Sequence, residues 1–199
     1  PAYLAAQKFN GLLYEGSIAA LPNEGTMATV STLTAADILN WYQQWFKPAG
    51  GQLIVVSDLP QDKVSAELKA QLADWQGQAP AIQVSTGALK AAPATIYLVD
   101  KPDAPQSEIR IGKRSLTQDI SGEFYKAGLM NYVLGGTFNS RINLNLREDK
   151  GYTYGARAGF SGDKYAGVYT ASAAVRADAT VDSIRQFLNE INQIGRASC

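Results

Sequence analysis

Short β-branched runs alternate along this chain with longer stretches whose apolar residues return every third or fourth position. That switch of period limits the fold more than any other feature. The runs "QLIVVSD" (52–58), "TIYLV" (95–99), "SEIRIG" (107–112) and "GVYTASAAV" (167–175) suit strands, and a short strand also fits Ile82 to Val84. Between them lie helical patterns. Thr34 with Asp37 three residues on forms a capping box, after which Ile38, Leu39, Tyr42, Trp45 and Phe46 follow a helical period until Lys47-Pro48 stops it. Pro60 suits the first position of a helix carrying Val64, Leu68 and Leu72. A third helix places Phe124, Ala127, Met130 and Leu134 on one face and ends at Gly135-Gly136. A fourth carries Val181, Ile184, Leu188 and Ile191, with Asp178 or Thr180 as its cap. Strands followed by helices within each half predict an α+β fold, a layered antiparallel or mixed sheet with helices on one face, and not a regular βαβ wind. No short repeat at fixed period is present.

Between Gln76 and Pro93 the chain is rich in Gln, Ala, Pro, Ser and Gly without a sustained apolar period, the pattern of a linker over 77–93. This divides the chain into 1–76 and 94–199. It opens on Pro1 with no charged and apolar leader, as a processed product or, preferably, an excised piece of a longer protein would.

Composition narrows the chemistry. The 199 residues are 46% apolar with no run long enough to cross a bilayer, the makeup of a soluble globule. Lys and Arg balance Asp and Glu at 18 each, so no basic field draws a nucleic-acid backbone. There is no His, which removes the usual general base and the commonest zinc ligand. The single Cys is the last residue, Cys199, so neither an internal disulfide nor a thiolate cluster can form. Chemistry must therefore run on carboxylates, Arg, Lys, Tyr and the backbone.

The richest stretch is "NLREDKGYTYGARAGF" (145–160). Arg147 ends one element and Tyr154 begins the next, and they can converge if Gly151 turns the chain between them. A planar cation and a phenol O–H together suit a polarised carbonyl or a developing oxyanion. The alternative is a solvated patch in which Arg147 pairs with Glu148 or Asp149 and the Tyr is partly buried core. Two local conflicts stand. "INLNL" (142–146) alternates like a half-buried strand, and a regular strand from Tyr152 would put Tyr152 and Tyr154 on one face, unless it starts later or bulges. Gly135-Gly136 lacks both the P-loop ending and the dinucleotide glycine spacing, so it is a helix-ending turn. Asp100, Asp103, Glu148 and Asp149 lack calcium-loop spacing and belong on solvated loops. Trp41, Trp45 and Trp75 lie in apolar helical patterns and belong in the core.

The run "LGGTFNSRINLNLREDKGYTYGARAGF" (134–160) resembles the signature of the insulinase/pitrilysin-like zinc peptidases, which include the mitochondrial processing peptidase relatives. Upstream, "LTAADILNWYQQWFKPAGGQLIVVSDLP" (33–60) is similar to the family's stretch closing the first domain of each repeat half. The resemblance implies a helix ending at Arg147, against the strand period of "INLNL", and a Tyr154 that faces a cleft with Tyr152 packed behind it. It implies that Arg147 and Tyr154 bind substrate carbonyls and stabilise the tetrahedral intermediate. It makes 1–76 the end of a first repeat domain and 94–199 a second.

The family's zinc site is an H-x-x-E-H helix with a distant Glu, which a chain without His cannot build. Zinc is thus expected in the complete enzyme, bound outside this chain. Where active halves carry His-Pro-Tyr, Ser17-Ile18-Ala19 precedes "PNEGT", as in a half that never held zinc. The expected partners are a zinc-bearing half on the same or another chain and a peptide substrate, with a dimer allowed and no nucleic acid. By resemblance the parent would be bacterial, periplasmic or membrane-anchored. The competing expectation is a non-catalytic peptide-binding or scaffold protein of the same fold.

Overall fold

The computed structural model describes residues 1–86 and 93–194, so most of the middle of the expected linker (87–92) and Cys199 lie outside the described residues. The chain forms two compact units, one of Glu24–Gln83 and one of Pro1–Asn23 with Val84–Cys199. No helix among the described residues is long and apolar enough to cross a membrane.

The larger unit is α+β. Its sheet is antiparallel, with strands β1 (Gln106–Ser115), β2 (Thr153–Gly162) and β3 (Gly167–Arg176) in the spatial order β1-β3-β2. The β2–β3 connection is a hairpin turned by Asp163, whose carboxylate accepts from the Tyr165 and Ala166 amides at 2.7 and 2.9 Å. These two bonds hold the Asp163 pKa below its ordinary value. Ala171, Ala173 and Val175 of β3 are buried beside Ile109 of β1 and Ala156 and Ala158 of β2. Small side chains on this face let helices approach closely.

Helix α7 (Thr180–Gln193) closes the core with Phe187, which is fully buried, and with Ile184 and Ile191 packed around it. The sequence reading of its face is corrected here, because Val181 and Leu188 are exposed and Ser183 and Phe187 are buried. Reading only the aliphatic residues shifted the stripe by about one position. Neither expected cap acts as one. Asp178 binds the Arg176 guanidinium, and the Thr180 hydroxyl donates to the Ala177 carbonyl at 2.7 Å. A 3₁₀ turn, Ala177–Ala179, leads into the helix instead.

The helix expected over 124–134 forms as α5 (Glu123–Asn131), continued by a π turn, Tyr132–Gly136. Asn131, not Met130, takes the buried position, and its Nδ2 donates to the Ala158 carbonyl at 2.7 Å. Gly135 serves close approach here. A Cβ at this position would come within 2.5 Å of both the Cβ and the backbone nitrogen of Ala158.

The smaller unit carries the capped helix α3 (Ala35–Trp45), once the short helices α1 (Ala2–Leu13) of the larger unit and α2 (Met27–Val30) have been counted. Thr34 and Asp37 bind each other's backbone amides reciprocally at 2.9 and 3.2 Å, the expected capping box. Helix α4 (Gln61–Gln71) follows with Pro60 just outside its first turn. Phe46 stacks between Tyr42 and Trp75 at ring separations of 5.0 and 5.2 Å. None of the described residues of this unit is buried, so Trp41 and Trp75 are exposed and the core role read for the Trp residues is corrected.

The strands read in "QLIVVSD", "TIYLV" and Ile82 to Val84 are likewise corrected. Among the described residues these runs pair with no neighbour, and Val56 and Leu98 are 96% and 90% exposed. β-branched composition favours a strand only where another strand takes its N–H and C=O groups.

Candidate functional site

"INLNL" is helical. Helix α6 (Arg141–Asn143) runs on into a π-wound segment, Leu144–Asp149, so the alternation of Ile and Leu with Asn does not mark a strand. Helical spacing sends Ile142 and Leu146 into the core and leaves Leu144 exposed. A second face points to α7, where Glu190 accepts from Arg141 Nε at 2.9 Å and from Asn145 Nδ2 at 2.8 Å. The segment is therefore fixed from two sides before its third face is considered.

That third face carries Asn143 and Arg147. The Arg147 guanidinium lies 4.4 Å over the Phe138 ring and 3.4 Å from the Glu148 carboxylate. Its side chain is one-third exposed. Among the described residues no hydrogen bond or ion pair joins Arg147 to Tyr154. The salt-bridge alternative is thus present in part, through Glu148 alone. Asp100, Asp103, Glu148 and Asp149 are exposed, but only the first two lie on loops; Glu148 and Asp149 end the π-wound segment, which corrects the loop placement read for them.

Gly151 ends the segment with φ +64°, a left-handed turn that glycine takes without a Cβ clash. Its N–H donates to the Arg147 carbonyl at 3.1 Å, and the Tyr152 N–H to that of Leu146 at 2.9 Å. The chain then enters β2, and the conflict between the two tyrosines resolves in both ways the sequence allowed. The strand starts at Thr153, after Tyr152, and it bulges: Thr153 stands opposite Val175 but Ala156 opposite Ala173, one extra residue on β2. Thr153 staples the bulge, its hydroxyl accepting from the Gly155 N–H at 3.1 Å and donating to the Ala174 carbonyl at 2.7 Å.

The two tyrosines end in opposite environments. Tyr152 packs on the core and its hydroxyl donates to Asp182 of α7 at 2.9 Å. That hydrogen bond, then burial and the Asp182 charge, hold its pKa above the ordinary phenol value. Tyr154 is 91% exposed, its hydroxyl open to an incoming group. The side chain that sequence reasoning missed is Asn143. Buried between the two elements, it donates from Nδ2 to the Phe138 carbonyl at 2.7 Å and accepts at Oδ1 from the Ala156 N–H at 2.9 Å. A polar residue at a core position of a helix, four before the Arg, was the available signal.

The arrangement can offer hydrogen bonds and positive charge to a carbonyl or oxyanion. Among the described residues no group of three or more His, Cys, Asp and Glu side chains is placed to ligate one, and the chain has no His. The residues present do not fit a resident zinc ion.

Residues 32–197 match the family model described as the peptidase M16 inactive domain. An uncharacterized zinc protease of Streptomyces coelicolor is 24% identical over 179 residues, a match covering 87% of this chain and 38% of that protein. The solved peptidase M16 inactive domain from Pseudomonas fluorescens superposes with a TM-score of 0.80 at 20% identity, over 99% of this chain and 47% of the other. The periplasmic protease PqqL from Escherichia coli gives a TM-score of 0.69 at 19% identity, over 98% and 21% of the two chains. The chain thus spans less than half the length of each of these relatives, and the structural matches show a shared fold.

Proposed function

Because the chain belongs to the peptidase M16 inactive-domain family, we propose that it is the non-metal half of a zinc protease, presenting Arg147 and Tyr154 to a peptide held against a zinc-bearing half. In this reading 94–199 is the repeat domain that carries the pair, 1–76 is the end of the preceding repeat, and 77–93 links them. The zinc-bearing half stands on the same or a partner chain, and a dimer is one way to supply it.

The observation that carries the reading is the bulge at the start of β2. It turns Tyr154 outward while Tyr152 is tied to Asp182, and it stands directly after a helix end that holds Arg147 on an aromatic shelf. A partly exposed guanidinium and a free phenol can accept a substrate carbonyl in the ground state and bind its oxygen more tightly as negative charge develops there. The metal and the general base belong to the other half, so this chain contributes binding, orientation and charge stabilisation.

The test mixes the chain with the zinc-bearing half of its parent protein and follows cleavage of quenched fluorescent peptides. Each half alone should be inactive. Arg147→Ala and Tyr154→Phe should each lower turnover by a factor on the order of 10² to 10³, the usual loss for a transition-state donor. Wild-type turnover in folded variants would remove both residues from the mechanism. The second reading is a peptide-binding or scaffold protein of the same fold without hydrolysis. It gains if a verified, zinc-loaded complex binds peptide and cleaves none.

A further inference from the structure

We infer that Asn143 is a positioning residue that locks the Arg147 helix end to the Tyr154 bulge, an inference that rests on the role proposed above for that pair. Three observations converge on one buried carboxamide. Its Oδ1 holds the Ala156 N–H, the group that closes the bulge on its far side. Its Nδ2 holds the carbonyl of Phe138, whose ring is the shelf under Arg147. Its own backbone is part of the helix that runs on to Arg147, one turn further along.

One planar group thus fixes the shelf, the helix and the bulge relative to one another. Among the described residues no hydrogen bond or ion pair joins Arg147 to Tyr154, so their spacing depends on what lies behind them. A Cβ added at Gly155 would stand 4.0 Å from Oδ1, so a small side chain there would not displace the carboxamide. A hydrocarbon side chain at position 143 would fill the space but release both the Ala156 N–H and the Phe138 carbonyl. Freed from its acceptor, the bulge can slide toward regular pairing, and that slip turns alternate side chains to the opposite face. Tyr154 would then leave the exposed face that the bulge gives it.

The decisive variants are Asn143→Leu and, as a smaller replacement that leaves room for water, Asn143→Ser. In the chain, amide hydrogen exchange at Ala156 should accelerate by roughly tenfold or more, while the β3 amides at the sheet centre stay near wild-type. In the assembled protease, kcat should fall on the order of tenfold to a hundredfold with KM little changed, because geometry and not peptide binding is lost. The kcat effect should shrink sharply in a Tyr154→Phe background, since the two substitutions would remove the same interaction, while the Ala156 exchange effect should persist there. Unchanged Ala156 protection in both variants, or a kcat loss that is the same with and without Tyr154, would overturn the inference. If Tyr154→Phe and Arg147→Ala themselves leave turnover intact, the functional reading fails instead, and Ala156 exchange still decides whether Asn143 is the brace.

Discussion

Two glycines of one helical stretch should respond to the same substitution with opposite signs. Gly128 lies inside α5 with nothing within 4 Å of an added Cβ, whereas a Cβ on Gly135 would meet Ala158 at 2.5 Å. At Gly128, alanine removes unfolded-state freedom and should stabilise by about 0.4–1 kcal/mol. At Gly135 the same gain applies, but overpacking a buried contact costs about 1–3 kcal/mol. The neighbouring Asn131 to Ala158 hydrogen bond is also stretched if the helix backs away, at a further cost of about 1 kcal/mol. The clash therefore wins, with a net loss of about 2 kcal/mol, roughly a thirtyfold rise in the open population. The assay is hydrogen exchange of the slowest β3 amides. Exchange in Gly135→Ala equal to or slower than in Gly128→Ala would refute the close helix–strand contact from which the magnitude is worked.

On the proposed function, removing the aromatic shelf with Phe138→Ala should lower peptide turnover with the zinc-bearing half by roughly two- to fivefold, the worth of a partly exposed cation–π contact. Phe138→Tyr should restore it, and equal turnover in all three proteins would show that the shelf does not orient Arg147. Asp163 gives a pH dependence of known sign. Hydrogen bonds from Ala166 and Tyr165 depress its folded pKa, so its contribution is complete above the unfolded value and is lost as pH falls through the folded one. Amide shifts of Tyr165 and Ala166, followed by NMR from about pH 5 to about pH 2, should move with that titration in the native protein and not in Asp163→Asn. An identical acid response in the variant would assign the transition to another group.

Some elements were legible because their cause is local. The capping box at Thr34 and Asp37 needs only two side chains three residues apart, and the strand runs at 107–112 and 167–175 lie opposite each other in the sheet. Arg147 and Tyr154 were visible as residue types around a glycine turn, and the resemblance supplied the helix that local period misread. What failed was information held by neighbours. "INLNL" alternates, yet Asn143 and Asn145 are drawn inward by an amide on β2 and a carboxylate on α7, which no period records. The runs at 52–58 and 95–99 have strand chemistry without a strand beside them, and α7 buries Phe187 where the aliphatic stripe pointed to Leu188. Gly135 looked like punctuation, but its meaning is a distance to Ala158.

The strand order β1-β3-β2 also sets a timetable for synthesis. β1 leaves the ribosome first, yet its last residue, Ser115, stands opposite Gly167, and its first, Gln106, opposite Arg176. Every residue of α5, α6 and β2 must be made before β1 has anything to pair with. β2 waits only for the short turn after Gly162 before its partner arrives at Gly167. The hairpin of β2 and β3 should therefore form early and locally, and β1 should dock late on the open side of β3. During translation the segment carrying Tyr154 can thus acquire its bulge on a hairpin whose β3 edge is still vacant, and of the three described strands the first made is recruited last.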